Sequence, residues 1–177
     1  MLDAAPGEIF DWLIALTREN AHLIAPAVFL MGLGESLVFV SFFIPSTVLF
    51  LGIGAAHSAA GGSFLSIWVA AAIGATLGDL ISFAVGRYFK ESLPKIWPFR
   101  TNPQVLEQSE AMFRNWGALS IIASKFLGAI RPVVPVAAGV LHMPWTVFAP
   151  ASLVSSLIWS GAFLGPGFAP RLFGGLW

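Results

Sequence analysis

Four ionisable residues interrupt the long apolar stretches of this 177-residue chain: Glu35, Asp79, Lys125 and Arg131. Each charge costs about 2.5–3.5 kcal/mol at the centre of a membrane helix. Four unpaired charges would therefore cost about 10 kcal/mol, which is comparable to the stability of a whole domain. Because two acids and two bases sum to zero, we expect the four side chains to form ion pairs or to share a polar cavity.

Arg131 has the most informative position, because Pro132 and Pro135 follow it within four residues. A proline breaks a helix, which frees backbone N–H groups and can direct the N-terminus of a half-helix inward. The guanidinium group is the side chain that binds phosphate through two parallel hydrogen bonds. The pattern predicts that Arg131 binds a phosphate headgroup. The alternative is a structural ion pair with Glu35 or Asp79.

The other three charges each have a functional and a structural interpretation. Glu35 is either a group that exchanges protons or the counter-ion of Arg131. Lys125 either binds substrate together with Arg131 or extends its ammonium group to the membrane interface. For Asp79 we favour a structural role, in which it pins helices together through Arg131 or a backbone N–H group.

The composition excludes several classes of protein. Only 10% of residues are charged and 57% are hydrophobic, whereas about a quarter are charged in soluble domains, so lipid is the expected solvent. The nine basic residues form no run, which predicts no nucleic-acid partner. Cysteine is absent and the three histidines lack ligand spacing, so we expect no metal and no cofactor. Without a Ser/His/Asp set or a phosphatase signature, we expect no enzymatic activity.

The first half of the chain predicts an amphipathic helix, a broken apolar segment and a membrane span. Residues 8–19 carry apolar side chains at helical spacing, which predicts an amphipathic helix in the N-terminal segment 1–20. We favour an interfacial position for this helix, and packing against protein is the alternative. Residues 21–57 are nearly all apolar, but Pro45 breaks them into two spans or into a span and a re-entrant loop. Residues 64–86 form a span. Its small residues recur every four positions, at Gly74, Gly78, Ser82 and Gly86.

The second half repeats this order. Residues 87–116 carry more than half of the basic residues, so the positive-inside rule predicts a cytoplasmic loop, within which we expect an amphipathic helix. Residues 118–142 form a second broken segment, and residues 145–165 form a second span. That span has three serines on one face: Ser152, Ser156 and Ser160. We predict one all-α polytopic membrane domain over residues 1–177, in which two proline-broken re-entrant segments pack against the spans. The repeated order raises the hypothesis of an inverted repeat.

Several motifs recur at characteristic positions of the chain: Glu35, Pro45, Gly78-Asp79, Gly86-Arg87, the stretch KFLGAIRPVVPVAAG from Lys125 to Gly139, and Met143-Pro144. Together they resemble the motifs of the DedA family, the bacterial branch of the SNARE-associated Golgi protein (VTT domain) superfamily. The resemblance implies a multi-pass protein of the bacterial inner membrane with two re-entrant loops that face each other. It also implies movement of phospholipids or undecaprenyl phosphate between leaflets, coupled in some members to the proton-motive force. The family's functional charges include an acid that matches Glu35 and an arginine that matches Arg131.

Two positions depart from the family pattern. The family's Pro-Gly-acid motif reads Pro45-Ser46-Thr47 here, so Thr47 occupies the place of the second acid. Lys125 stands where the first arginine is usual. The chain therefore lacks one acid and one guanidinium of the family's set of charges.

These residues are compatible with three functions. The leading hypothesis is a flippase or scramblase, in which Arg131 and Lys125 hold the phosphate headgroup of a membrane lipid and Glu35 balances or titrates the charge. The alternatives are a proton- or cation-coupled exporter of small molecules and an accessory subunit that positions a lipid phosphatase. The small-residue faces also permit a homo-oligomer.

Overall fold

The computed structural model describes residues 14–15, 17–37, 46–89, 100, 103–127 and 131–173, and the regular elements within these ranges are helical. The helices are α1 (Ala21–Ser36), α2 (Ser46–Ala59), α3 (Phe64–Tyr88), α4 (Pro103–Trp116), α5 (Leu119–Ser124), α6 (Val133–Val140), α7 (Trp145–Leu164) and α8 (Ala169–Phe173). A 3-10 turn, Gly165–Phe168, joins α7 to α8. Of the interfacial helix predicted over residues 8–19, the structure describes residues 14, 15 and 17–19, which are helical.

Two helical stretches are long and apolar enough to cross a membrane. Helix α3 has 25 residues, and the stretch Trp145–Arg171 has 27. At about 1.5 Å per residue, each exceeds the roughly 30 Å of a bilayer's hydrocarbon core. They coincide with the spans predicted over residues 64–86 and 145–165.

The outward face of α3 is a stripe of exposed apolar side chains. Leu65, Val69, Ile73, Leu77 and Ile81 follow one another every four residues and are 37–61% exposed. Water would not favour so long an apolar stripe, whereas lipid tails would cover it at no cost. The outer surface of this helix therefore has the character of a lipid-facing surface.

The inward face of α3 carries the predicted small residues, and they pack within the chain. Gly78 lies against α1, where an added Cβ would come within 2.5 Å of the Leu33 carbonyl oxygen. Gly86 lies against α6, where a Cβ would collide with the carbonyl of Val136. Backbones approach this closely only where a side chain is absent or very small. The small-residue face thus holds α1 and α6 against α3.

The helices in both predicted broken segments are too short to span. Helix α6 has eight residues, or about 12 Å, and all eight are buried. It begins directly after Pro132, and Pro135 lies in its first turn, where a missing N–H group has no helical partner. The break predicted from these two prolines is therefore correct. Pro45, the break predicted in the first segment, lies outside the described residues.

Arginine side chains tie the connections together at the two ends of α3. Near its start, Arg18 and Arg171 donate hydrogen bonds of 3.1–3.4 Å to carbonyl oxygens of residues 58–62. Near its end, Arg87 Nη1 donates to the Met143 carbonyl oxygen at 3.0 Å. The connection after α2 and the connection before α7 therefore lie at opposite ends of α3.

Candidate functional site

The four charges within the apolar segments come from four parts of the fold. Glu35 lies in the last turn of α1 and Asp79 in the middle of α3. Lys125 directly follows α5, and Arg131 lies two residues before α6. Their side chains are 1%, 3%, 3% and 10% exposed, in that order. The fold therefore removes all four from the surface.

The four side chains form two ion pairs. Arg131 Nη1 contacts Glu35 Oε1, and Lys125 Nζ lies 2.8 Å from Asp79 Oδ2. The expectation that these charges neutralise one another is confirmed. Two finer interpretations are wrong: Lys125 is buried and does not extend to an interface, and the ion-pair partner of Asp79 is Lys125, not Arg131.

Serine hydroxyls complete the surroundings of the Lys125–Asp79 pair. Ser152 Oγ donates to Asp79 Oδ2 at 2.7 Å, and Lys125 Nζ donates to Ser36 Oγ at 3.1 Å. Ser82 Oγ in turn donates to the Ser36 carbonyl oxygen at 2.9 Å. A buried ion pair is stable only when further hydrogen bonds satisfy its atoms. This pair therefore joins α1, α3 and α7 and has the surroundings of a structural element.

Trp159 of α7 lies against both basic groups. The centroid of the indole ring is 4.4 Å from Arg131 Cζ and 5.9 Å from Lys125 Nζ, which are cation–π distances. Trp159 is fully buried, and Phe50 of α2 packs edge-on against the ring at 4.9 Å between centroids. Sequence analysis missed this residue. The sequence does contain one indication of the position of Trp159: it follows Ser152 and Ser156 at helical spacing and so lies on the serine-bearing face of α7.

Arg131 keeps hydrogen-bonding capacity beyond its ion pair. Its Nε and Nη2 atoms are buried and have no hydrogen-bond partner among the residues that the structure describes. Together they form one edge of the guanidinium group, and such an edge binds two oxygens of a phosphate or carboxylate in parallel. Leaving a buried donor unsatisfied costs about 1–3 kcal/mol, so this edge has the character of a binding group.

The remaining residues singled out in the sequence lie around this centre or beyond the described part of the chain. Gly139 packs on α3, where an added Cβ would lie 2.7 Å from Arg87 N. Thr47 lies in the first turn of α2, and its side chain is outside the described part. Within the described ranges, no three His, Asp or Glu side chains are grouped so that they could hold a metal ion.

Two candidate membrane spans, the exposed apolar stripe of α3 and the buried, neutralised charges are together typical of an integral membrane protein. The chain belongs to the VTT-domain family, because the model of the VTT domain matches residues 44–169. This result and the relatives described next confirm the resemblance to the DedA family.

Three relatives illustrate the match. The inner membrane protein YabI of Escherichia coli (strain K12) is 35% identical over 142 residues, which cover 80% of this chain and 56% of YabI. The uncharacterized membrane protein BU139 of Buchnera aphidicola is 27% identical over 157 residues, covering 89% and 61%. Protein DedA of E. coli is 29% identical over 99 residues, covering 54% and 44%. The chain thus spans less than two thirds of the length of these relatives. No solved structure matches it significantly.

Proposed function

We propose that this protein is a flippase or scramblase that moves a phosphate-bearing lipid, such as undecaprenyl phosphate or a phospholipid, between the leaflets of the bacterial inner membrane. The observation that carries the proposal is the buried edge of Arg131, whose Nε and Nη2 atoms have no partner in the described part of the chain. Lipid movement requires binding and release of the headgroup and no covalent chemistry, so the proposal treats the protein as a carrier and not as an enzyme.

The charges around Arg131 suit a site that must be stable both empty and occupied. Its Nη1 atom contacts Glu35, so the guanidinium charge is neutralised when no headgroup is bound. A phosphate would bind at the opposite edge, with the ammonium group of Lys125 near the same indole ring. In this proposal Glu35 balances the charge, and Arg131 and Lys125 attract the anion.

The arrangement of the broken segments supports access from both sides of the membrane. Arg18, which precedes α1, donates to the carbonyl oxygen of Ala59, the last residue of α2, so both ends of the first segment meet at one end of α3. Arg87 contacts the connection that follows α6 at the other end. Glu35 in the last turn of α1 contacts Arg131, which lies just before α6, so this ion pair joins the two segments. In this proposal the segments are two re-entrant loops that enter from opposite sides of the membrane. A headgroup site at that depth would be reachable from either leaflet.

The test is transbilayer movement in liposomes that contain only the purified protein. A labelled polyprenyl phosphate and a labelled glycerophospholipid would be followed with wild type, Arg131→Ala and Glu35→Gln. The matched control is Arg114→Ala, because Arg114 is exposed on α4. We expect Arg131→Ala to abolish movement while the protein remains folded, and the control to move lipid at the wild-type rate.

Failure of wild type to move either lipid would contradict the proposal and favour one of two other functions. A coupled exporter would instead produce a solute flux that depends on a pH gradient and on Glu35. An accessory subunit would bind a lipid phosphatase, and its effects would disappear when that partner is deleted. Normal lipid movement by Arg131→Ala would remove Arg131 from the substrate site and leave it as a structural ion pair.

A further inference from the structure

Two neutral polar groups of α7 resemble the Nε–Nη2 edge of Arg131, because they too are buried donors without a hydrogen-bond partner in the described part of the chain. Ser156 Oγ and Trp159 Nε1 are buried, and neither has a hydrogen-bond partner among the residues that the structure describes. Both residues are fully buried. Because most buried donors in proteins are satisfied, two such groups within one helical turn require an explanation.

The other buried serines of α7 differ from Ser156, because each of their hydroxyl groups has an acceptor. Ser152 Oγ donates to Asp79, Ser155 Oγ donates to the Ile121 carbonyl oxygen at 3.2 Å, and Ser160 Oγ donates to the Ser156 carbonyl oxygen at 2.7 Å. Each of these three hydroxyls therefore has an acceptor within the protein. The hydroxyl of Ser156 has none in the described part of the chain.

The geometry of α7 directs Ser156 towards the charges. Residues 152, 156 and 159 follow one another at helical spacings of four and three, so they share one face of the helix. Ser152 at one end of this row contacts Asp79, and Trp159 at the other end contacts Arg131. Ser156 lies between them and therefore faces the region between the two ion pairs.

We propose that Ser156 and Trp159 form a neutral subsite that binds the third terminal oxygen of a phosphate monoester held by Arg131. The edge of Arg131 binds two oxygens in parallel, which accounts for both non-bridging oxygens of a phosphodiester. A monoester has a third terminal oxygen, and the Ser156 hydroxyl and the indole N–H group donate to it. The subsite therefore selects lipids that end in a phosphate monoester over diester phospholipids. This inference rests on the proposed function.

The experiment compares a labelled polyprenyl phosphate, a monoester, with labelled phosphatidylglycerol, a diester, in liposomes that contain the full-length protein. Ser156→Ala removes one donor, and Trp159→Phe removes the other while keeping a ring beside Arg131. The matched controls are Ser160→Ala and Trp68→Phe. Ser160 bonds within its own helix, and Trp68 Nε1 donates to the Leu157 carbonyl oxygen at 2.9 Å.

We expect wild type to move the monoester faster than the diester. A hydrogen bond to a charged group contributes enough that losing one should slow monoester movement about tenfold. Ser156→Ala and Trp159→Phe should each lose most of the monoester preference, with diester movement within about twofold of wild type. Both control variants should keep the wild-type preference.

Three results would overturn the inference, and the first two would leave the proposed function intact. Wild-type lipid movement with an unchanged preference in Ser156→Ala and Trp159→Phe would mean that these donors bind only water. An equal loss of movement for both lipids in Trp159→Phe, with Ser156→Ala unchanged, would give Trp159 only a packing role.

A parallel experiment would measure uptake of labelled inorganic phosphate. Uptake that is lost in Ser156→Ala, without lipid movement, would assign the subsite to free phosphate. Only the absence of any wild-type lipid movement contradicts the proposed function itself.

Discussion

The ammonium group of Lys125 lies 2.8 Å from Oδ2 of Asp79, and both side chains are 3% exposed. This contact connects α3 to the residue that follows α5, across the centre of the molecule. Ser152 and Ser36 bond to the same two groups, so each charge has at least two polar partners. Because both partners are buried, losing one of them should affect stability more than losing both.

Removal of one partner of the Lys125–Asp79 ion pair should destabilise the protein. Lys125→Met leaves the Asp79 carboxylate without its cation, and we expect the free energy of unfolding to fall by about 3–5 kcal/mol. In the double variant Asp79→Asn/Lys125→Met no charge remains unpaired, so its loss should be smaller than the sum of the two single losses. Unfolding in detergent, followed by circular dichroism, measures these differences. Strictly additive losses would show that the two groups do not stabilise each other.

Arg131→Lys separates the charge of Arg131 from the shape of its guanidinium group. A lysine can still pair with Glu35, but it has no edge that donates to two oxygens in parallel. We therefore expect movement of a phosphate-bearing lipid to fall at least about tenfold, with smaller effects on stability than Arg131→Ala. Liposome flux and thermal unfolding measure the two effects, and Arg114→Lys on the exposed face of α4 is the control. Wild-type flux in Arg131→Lys would show that a point charge is sufficient.

The crossing of α3 and α6 depends on two glycines. A Cβ at Gly86 would collide with the carbonyl of Val136, and one at Gly139 would lie 2.7 Å from Arg87 N. Gly86→Ala and Gly139→Ala should each lower the free energy of unfolding by about 1–3 kcal/mol, because the backbones must move apart. In Gly52→Ala an added Cβ meets nothing within 4 Å, so this control should leave stability unchanged or raise it by up to about 1 kcal/mol. Equal effects at all three positions would contradict the close crossing.

The orientation of the chain can be tested cleanly because the sequence has no cysteine. Single cysteines at Ser63, Asn115 and His142 would be labelled with a membrane-impermeant maleimide in intact cells and in inverted vesicles. We expect Ser63→Cys to react only from outside the cell, and Asn115→Cys and His142→Cys only from the cytoplasmic side, since the second broken segment should return to the side from which it enters. Labelling of Asn115 and His142 from opposite sides would make residues 118–142 a full crossing.

Much of the local structure could be predicted because it depends on residues that are close in sequence. Pro132 marks the start of α6, and Pro103 begins α4. Gly117 directly follows the last residue of α4 and has a positive φ of 54°, the conformation in which glycine commonly ends a helix. Proline lacks a backbone N–H donor and glycine lacks a side chain, and each of these properties affects the helix only within about one turn.

The candidate site was only partly predictable. The four charged residues were recognisable because each is isolated within apolar sequence. Since two are acidic and two are basic, their net charge of zero predicted that they neutralise one another. Trp159 was not recognised, because tryptophan in an apolar helix is ordinary and nothing in the local pattern places it beside a cation. For Lys125 the sequence leaves open that the ammonium group extends to the membrane interface, because its aliphatic side chain is long enough. Its burial beside Asp79 depends on how α3 packs, which the local sequence does not show.

The amino-acid sequence was sufficient to predict a lipid environment, several helix ends at prolines and glycines, and the neutralisation of the isolated charges. Composition and short-range periodicity are sufficient for those conclusions, because solvent preference and helix geometry are properties of local stretches. The packing of the helices was needed to show that Arg131 pairs with Glu35 and Lys125 with Asp79, and that Trp159 lies against Arg131. Residues 35, 79, 131 and 159 lie on separate helices or connections, and their distances follow from the close crossings of α3 with α1 and α6. Those crossings depend on close contact between a glycine of one helix and the backbone of another helix that is distant in sequence, which local sequence does not specify.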